Sequence, residues 1–182
     1  MDYKNTLGEI ILDEETINNR VKELGAQISA DYDKEYPGEP VIIICILKGG
    51  SIFAADLLKK LTIDARIDFM AVSSYGASTK SMGVVKINKD LDTSIEGKNV
   101  LIVEDIIDSG LTLHYLIKSL WGREPKSIKV CTLLDKPARR KVEMNADYVG
   151  FEVENKFIVG YGLDFDEKYR NLPYITCLDG EE

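Results

Sequence analysis

Val100-Leu101-Ile102-Val103-Glu104-Asp105-Ile106-Ile107-Asp108-Ser109-Gly110-Leu111-Thr112 is an apolar run that meets two adjacent carboxylates, adds two more apolar residues and opens into Asp-Ser-Gly-Leu-Thr. Its first part reads as a strand covered on both faces, because β-branched and aliphatic residues follow one another without alternation. Gly110 lets the backbone turn sharply and lets a ligand approach it closely. From Thr112 to Trp121 the pattern turns helical. The amides of Ser109, Gly110, Leu111 and Thr112, with the hydroxyls of Ser109 and Thr112, would then face outward at a helix amino end, a nest suited to a phosphate monoester. A strand followed by a capped helix accounts for Asp or Ser ahead of Thr equally well. It does not account for Glu104 and Asp105 at the end of a buried strand, where unpaired carboxylates are costly and call for a cation or hydroxyl donors.

Outward from this stretch, the chain alternates strand and helix. Residues 13–35 carry Ile17, Val21, Leu24 and Ile28 at helical spacing and stop at Pro37-Gly38. Val41 to Leu47 is a second continuous apolar strand, Gly49-Gly50 a turn, and Ser51 the expected cap of a helix reaching about Leu61. Residues 65–72 read as an alternating strand, 73–82 as a polar mobile loop, 99–103 and 127–134 as buried strands, and 148–153 and 157–161 as shorter ones. Such alternation predicts an α/β fold, a mostly parallel twisted sheet with helices on both faces. Ligands in such folds sit beyond the carboxyl ends of the strands, where strand order reverses.

The bulk properties exclude several classes. A chain of 182 residues without repeats or linker suits a single domain, and 45% apolar with 30% charged residues is an ordinary globular composition. No apolar run nears the ~20 residues that cross a bilayer, and residues 1–15 are polar and acidic, unlike a signal peptide. The formal net charge of -8 argues against nucleic acid as a partner, since phosphate contacts want a basic face. Arg139-Arg140-Lys141, a basic cluster in this acidic chain, is read as a solvated face or subunit contact. Cys45, Cys131 and Cys177 have no metal spacing, and the first two read as small buried apolar residues of a reducing, cytoplasmic protein. The single His114 can build neither a metal cluster nor a triad with a second histidine, and reads as a helix residue without a catalytic task.

Neither a Walker loop nor a dinucleotide fingerprint is present: no G-x-x-x-x-G-K-[ST] occurs, and Gly160-Tyr161-Gly162 lacks the third glycine. Residues 100–112 instead resemble the phosphoribosyl pyrophosphate signature of the type I phosphoribosyltransferases. Leu47-Lys48-Gly49-Gly50, Ser73-Ser74-Tyr75-Gly76, Leu133-Leu134-Asp135-Lys136-Pro137, the Phe157 to Asp164 stretch and Tyr169-Arg170-Asn171-Leu172-Pro173-Tyr174 are similar, in order and spacing, to the hypoxanthine-guanine type of that family. The likeness runs from about Leu12 to Ile175.

That resemblance implies a core of about 36–150 under a small hood formed by residues 1–15 and 151–182. It implies a transfer of ribose 5-phosphate from phosphoribosyl pyrophosphate to a 6-oxopurine, through an oxocarbenium-like transition state. By the same likeness, Glu104 and Asp105 hold the ribose hydroxyls, directly or through Mg²⁺, and Asp164 binds a second Mg²⁺ bridging to pyrophosphate. Asp108 would be the general base near the purine N7, and Ser109, Gly110, Leu111 and Thr112 the phosphate nest. Lys48, Gly49 and Arg170 would contact pyrophosphate, with a non-proline cis peptide at Leu47–Lys48. Lys136 would donate to the purine O6, Phe157 stack on the base and the Ile158 backbone read its edge, while Ser74 and Tyr75 ride on a loop that closes over the site. Relatives form dimers or tetramers, so a homo-oligomer is implied. A regulator that only senses phosphoribosyl pyrophosphate would share the signature; Lys136, Phe157, Asp164 and the acidic charge favour the enzyme. Preference for xanthine is open at this level.

Overall fold

A computed structural model describes residues 7–74 and 85–178. Strand β1 (Leu7–Leu12) leads into helix α1 (Glu14–Glu35), then β2 (Val41–Leu47), α2 (Ser51–Leu58), β3 (Ala65–Ser74) and β4 (Val85–Lys89). There follow β5 (Asn99–Ile107), α3 (Leu111–Trp121), β6 (Ser127–Asp135), β7 (Tyr148–Glu152), β8 (Ile158–Val159) and β9 (Ile175–Leu178). Six strands form a sheet in the order β4-β3-β2-β5-β6-β7, parallel except for β4. β1, β9 and β8 make a separate antiparallel sheet.

The buried stripe of α1, Ile17, Val21, Leu24 and Ile28, packs with α2 against Val41, Ile43, Cys45, Leu101 and Val103 on one face of the large sheet. Ile42, Ile44, Val100 and Ile102 point the other way, towards Leu113, Leu116 and Leu120 of α3. Period-2 alternation thus feeds two cores from the same strands, and the expected α/β sandwich is what forms. The small sheet is not a detached unit: Ile158 and Ile175 are buried in the same cluster as α1.

Local details differ from expectation. Asp13 caps α1, accepting from the Thr16 amide at 2.8 Å. Ser51 does not cap α2; Gly50 takes that place without a side-chain bond, and the helix stops at Leu58. The reason is steric. A side chain at position 50 would meet the Ile46 carbonyl at 2.8 Å and the Val103 carbonyl at 3.2 Å, so the turn must enter the helix directly from glycine. Ser73 and Ser74 belong to β3 rather than to a loop, paired with Lys86 and Val85 of a strand, β4, that the sequence reading did not find.

Candidate active site

Sheet order reverses between β2 and β5: β3 lies outside one, β6 outside the other. Their carboxyl ends define a cleft of about 710 Å³ lined by Leu47, Ser73, Glu104, Asp108, Gly110 and Asp164 among others. A cleft of similar size, about 730 Å³, lies between α1 and residues 59–64. It sits at the amino end of β2 and β3, away from the switch point and from the turns at Gly49 and Gly110. The chemistry converges on the first.

β5 runs on to Ile107, past the end expected at Val103, because it keeps its pairing with β6 from Glu104↔Thr132 to Ile107↔Asp135 after β2 has dropped away at Cys45↔Val103. Glu104 and Asp105 therefore sit within a strand and point to opposite faces. Burial, then the neighbouring Asp105 charge, pushes the Glu104 carboxyl well above its usual range. Asp105 is raised to about 6, chiefly by burial, against the amide of Ile106, which donates to it at 2.8 Å, and the Arg170 guanidinium. Gly49 exists for Asp105: a Cβ at 49 would fall inside that carboxyl.

After Ile107 the chain makes the loop that the sequence suggests as a phosphate nest. Gly110 turns at φ 78°, a left-handed value suited to glycine, and no side chain caps α3. The four leading amides of a helix have no intrahelical partner; here Ser109 Oγ reaches that of Leu111 only at 3.4 Å. The capping role available to Asp108 and Ser109 is thus not what these residues do.

On one side of the loop stand Asp108, Lys136 and Phe157. Lys136 is buried, and its ammonium donates to the Lys156 carbonyl at 2.7 Å, next to Phe157. Burial lowers its pKa, Asp108 opposes that shift, and Arg139 adds to it. Phe157 and Phe165 are both exposed, ring centroids 5.5 Å apart and edge to face, while Ile158 is buried in β8. Arg139 Nε lies 2.6 Å from Asp108 Oδ1, an ion pair short of hydrogen-bond geometry, and Arg139 also donates to Asn155 at 2.9 Å.

On the other side, the Leu47–Lys48 peptide is cis, as the resemblance implied. Lys48 and Glu167 pair at 2.8 Å. Arg170 pairs with Asp164 at 2.8 Å and Glu167 at 3.5 Å and donates to the Gly162 carbonyl, while its Nε is buried with no partner among the described residues. Gly162, at φ 103°, packs so closely on the Gly49 carbonyl that no side chain would fit. Lys48, Gly49 and Arg170 are in this way brought to one wall.

Three expectations fare differently. Among the described residues no three His, Cys, Asp or Glu side chains converge as a metal cage, and the resemblance implied none, setting one Mg²⁺ at Glu104 and Asp105 and a second at Asp164. Tyr75 and the Ser74 side chain lie outside the described residues. The basic cluster at 139–141 is not simply a solvated face: the Arg140 side chain is 15% exposed and ion-paired with Asp135. Sequence reasoning missed it, and the signal was Asp135 at the end of a buried strand, a second carboxylate needing a cation. The cysteines behave as expected, with Cys45 and Cys131 buried and burial pushing the Cys45 thiol up to about 12. His114 is exposed on α3. Among the described residues no helix is long and apolar enough to cross a membrane.

Comparison with known proteins converges on the same place. The family described as phosphoribosyl transferase domain matches residues 9–166. The chain is 54% identical to hypoxanthine-guanine phosphoribosyltransferase of Bacillus subtilis (strain 168), over 96% of this chain and 95% of that protein. It is 48% identical to the Mycobacterium tuberculosis (strain H37Rv) protein of the same name, over 97% and 89%. Among solved structures, a hypoxanthine phosphoribosyltransferase of Staphylococcus aureus superposes with a TM-score of 0.91 at 49% identity, covering 98% of this chain and 95% of that one. A hypoxanthine-guanine phosphoribosyltransferase of Bacillus anthracis gives 0.88 at 50% identity, covering 94% and 99%.

Proposed function

The chain belongs to the phosphoribosyltransferase family, in its hypoxanthine-guanine branch, and from that footing we propose that it transfers the 5-phosphoribosyl group of phosphoribosyl pyrophosphate to hypoxanthine or guanine, giving IMP or GMP and pyrophosphate. The observation that carries this reading is the meeting, at one switch point, of an uncapped glycine turn with a buried lysine and a carboxylate. The C1′–pyrophosphate bond breaks, a C1′–nitrogen bond to the purine forms, and the proton lost by the purine passes to Asp108. Lys136, desolvated and already donating to a carbonyl, is suited to donate to the O6 of a 6-oxopurine. A 6-amino base would offer it a donor instead of an acceptor. Phe157 gives an exposed ring on which the base stacks.

Ser109, Gly110, Leu111 and Thr112 receive the 5′-phosphate on backbone amides and hydroxyls. Lys48, the Gly49 amide and Arg170, with its spare buried Nε, take the pyrophosphate. Glu104 and Asp105 hold the ribose hydroxyls, and the raised pKa of each marks a group that gains from a nearby cation. Mg²⁺ at Glu104 and Asp105, and a second ion at Asp164, would supply charge neutralisation for the leaving group; Mg²⁺ commonly keeps waters and uses one or two carboxylates with substrate phosphates, which fits the absence of a three-ligand cage among the described residues. Ser74 and Tyr75 belong to the segment that would close over the site and exclude water.

Steady-state assays with Mg²⁺, phosphoribosyl pyrophosphate and hypoxanthine, guanine, xanthine or adenine in turn test this. Turnover of hypoxanthine and guanine with adenine inert is expected. Binding of phosphoribosyl pyrophosphate without turnover of any base would reduce the protein to a sensor.

A further inference from the structure

The nest loop is held from behind by a residue that no part of the reaction uses. Three successive carbonyls of the loop are occupied on the side away from the cleft. Ile107 O accepts from the Lys136 amide at 3.0 Å and from Arg140 Nη1 at 2.9 Å. Asp108 O accepts from the same Nη1 at 2.6 Å, and Ser109 O from the Lys141 amide at 3.0 Å. Each peptide is planar, so a carbonyl drawn back turns the next amide forward. The amides so aimed are those of Asp108, Ser109 and Gly110, which lead into α3.

Arg140 is itself fixed. Its second Nη pairs with Asp135, whose side chain is 12% exposed, and its Nε donates to the Met144 carbonyl at 3.2 Å. The planar fork suits this work, because one guanidinium serves a carboxylate and three carbonyls in fixed directions, which an ammonium does not. Gly110 completes the fit: a Cβ there would press on Arg140 Cδ at 3.3 Å and Val142 Cγ2 at 3.2 Å. Asp135 adjoins Lys136, and its carbonyl accepts from Val153 at 2.9 Å, so the clamp also ties the loop to the strand end bearing the buried lysine.

We propose that Arg140 is a positioning residue for 5′-phosphate binding: it touches no substrate but sets the backbone of Asp108, Ser109 and Gly110 so that their amides face the phosphate. The inference rests on the function proposed above. It separates phosphate affinity from purine affinity, because Lys136 and Phe157 hold the base through other contacts.

Removing Arg140 alone would strand Asp135 and endanger folding, so two variants are used. Arg140→Lys keeps the charge opposite Asp135 but loses the fork. The paired Asp135→Leu/Arg140→Met variant removes both charges. Titration of each folded protein with ribose 5-phosphate, and kinetics with both substrates varied, is the test. Arg140→Lys should weaken ribose 5-phosphate and raise the KM for phosphoribosyl pyrophosphate about tenfold, and the paired variant up to about a hundredfold, as small misplacements of binding groups do. The KM for hypoxanthine should move less than threefold. Wild-type affinity for ribose 5-phosphate in Arg140→Lys, or an equal loss for purine and phosphate ligands, overturns the assignment. Wild-type protein that binds no ribose 5-phosphate overturns the function reading itself, and this inference with it.

Discussion

The two ends of the large sheet treat charge in opposite ways. At the amino end, Lys129 pairs with Glu35, Lys126 with Glu39 at 2.6 Å, and Asn99 bridges Glu39 and Ser127. Glu35 and Glu39 are both held below the usual carboxylate range, first by their lysine partners. At the carboxyl end the shifts reverse. Glu104 and Asp105 are pushed up and Lys136 down, each first by burial. The Glu35 and Glu39 shifts favour the charged form, and those three favour the neutral form. Glu35 and Glu39 have found lysine partners within the fold, whereas Glu104, Asp105 and Lys136 stay costly until something from outside arrives, the pattern expected of a functional site.

The largest expected break of this contrast is Asp108→Asn. Turnover should fall about 10²- to 10⁴-fold, the usual worth of a general base, with the KM for phosphoribosyl pyrophosphate within a few fold. Unchanged turnover in pre-steady-state assays would remove Asp108 from that role.

A smaller effect sharpens it. Asp105 binds its proton more tightly folded (about 6) than at its ordinary 3.8, so between these pH values the native state carries more protons than the unfolded chain. Stability from this group is full below about pH 4 and is lost as pH rises through 6. Asp105→Asn should therefore be more stable than wild type at pH 7, by about 3 kcal/mol, and no more stable at pH 4. Urea melts at the two pH values decide it, and equal stability at both would deny the burial cost.

The smallest lies at the other end. Glu35→Gln, breaking the pair that the half-exposed Glu35 makes with Lys129, should shift the urea midpoint only slightly and leave all kinetic constants unchanged. A kinetic effect there would mean that the two ends are coupled.

The same contrast governs what could be read from the sequence. β2, β5 and β6 were legible because strands buried on both faces leave continuous apolar runs. α1 declared itself through Ile17, Val21, Leu24 and Ile28. β1 and β9 were not legible because their order comes from partners far along the chain, such as Leu12 beside Ile175, and β4, a five-residue strand on the preceding β3, was too short to stand out. Within the site, Lys48, Asp108, Lys136 and Arg170 could be named because their motifs surround them, but the contacts that separate them could not. Arg140 reads as one more surface arginine until Asp135 is seen beneath it.

The pairing of β1 with β9 has one more consequence, in time rather than in space. Leu7 lies opposite Leu178, so a strand made before α1 must wait for one made after β8. During synthesis β2, β3 and β5 can assemble while β1 hangs free as an apolar edge, and Phe157 and Ile158 emerge long after the turn at Gly110. The glycine turn at Gly110 is thus in place in a nascent chain that still lacks Phe157, Asp164 and Arg170, and only these later residues complete the walls of the cleft.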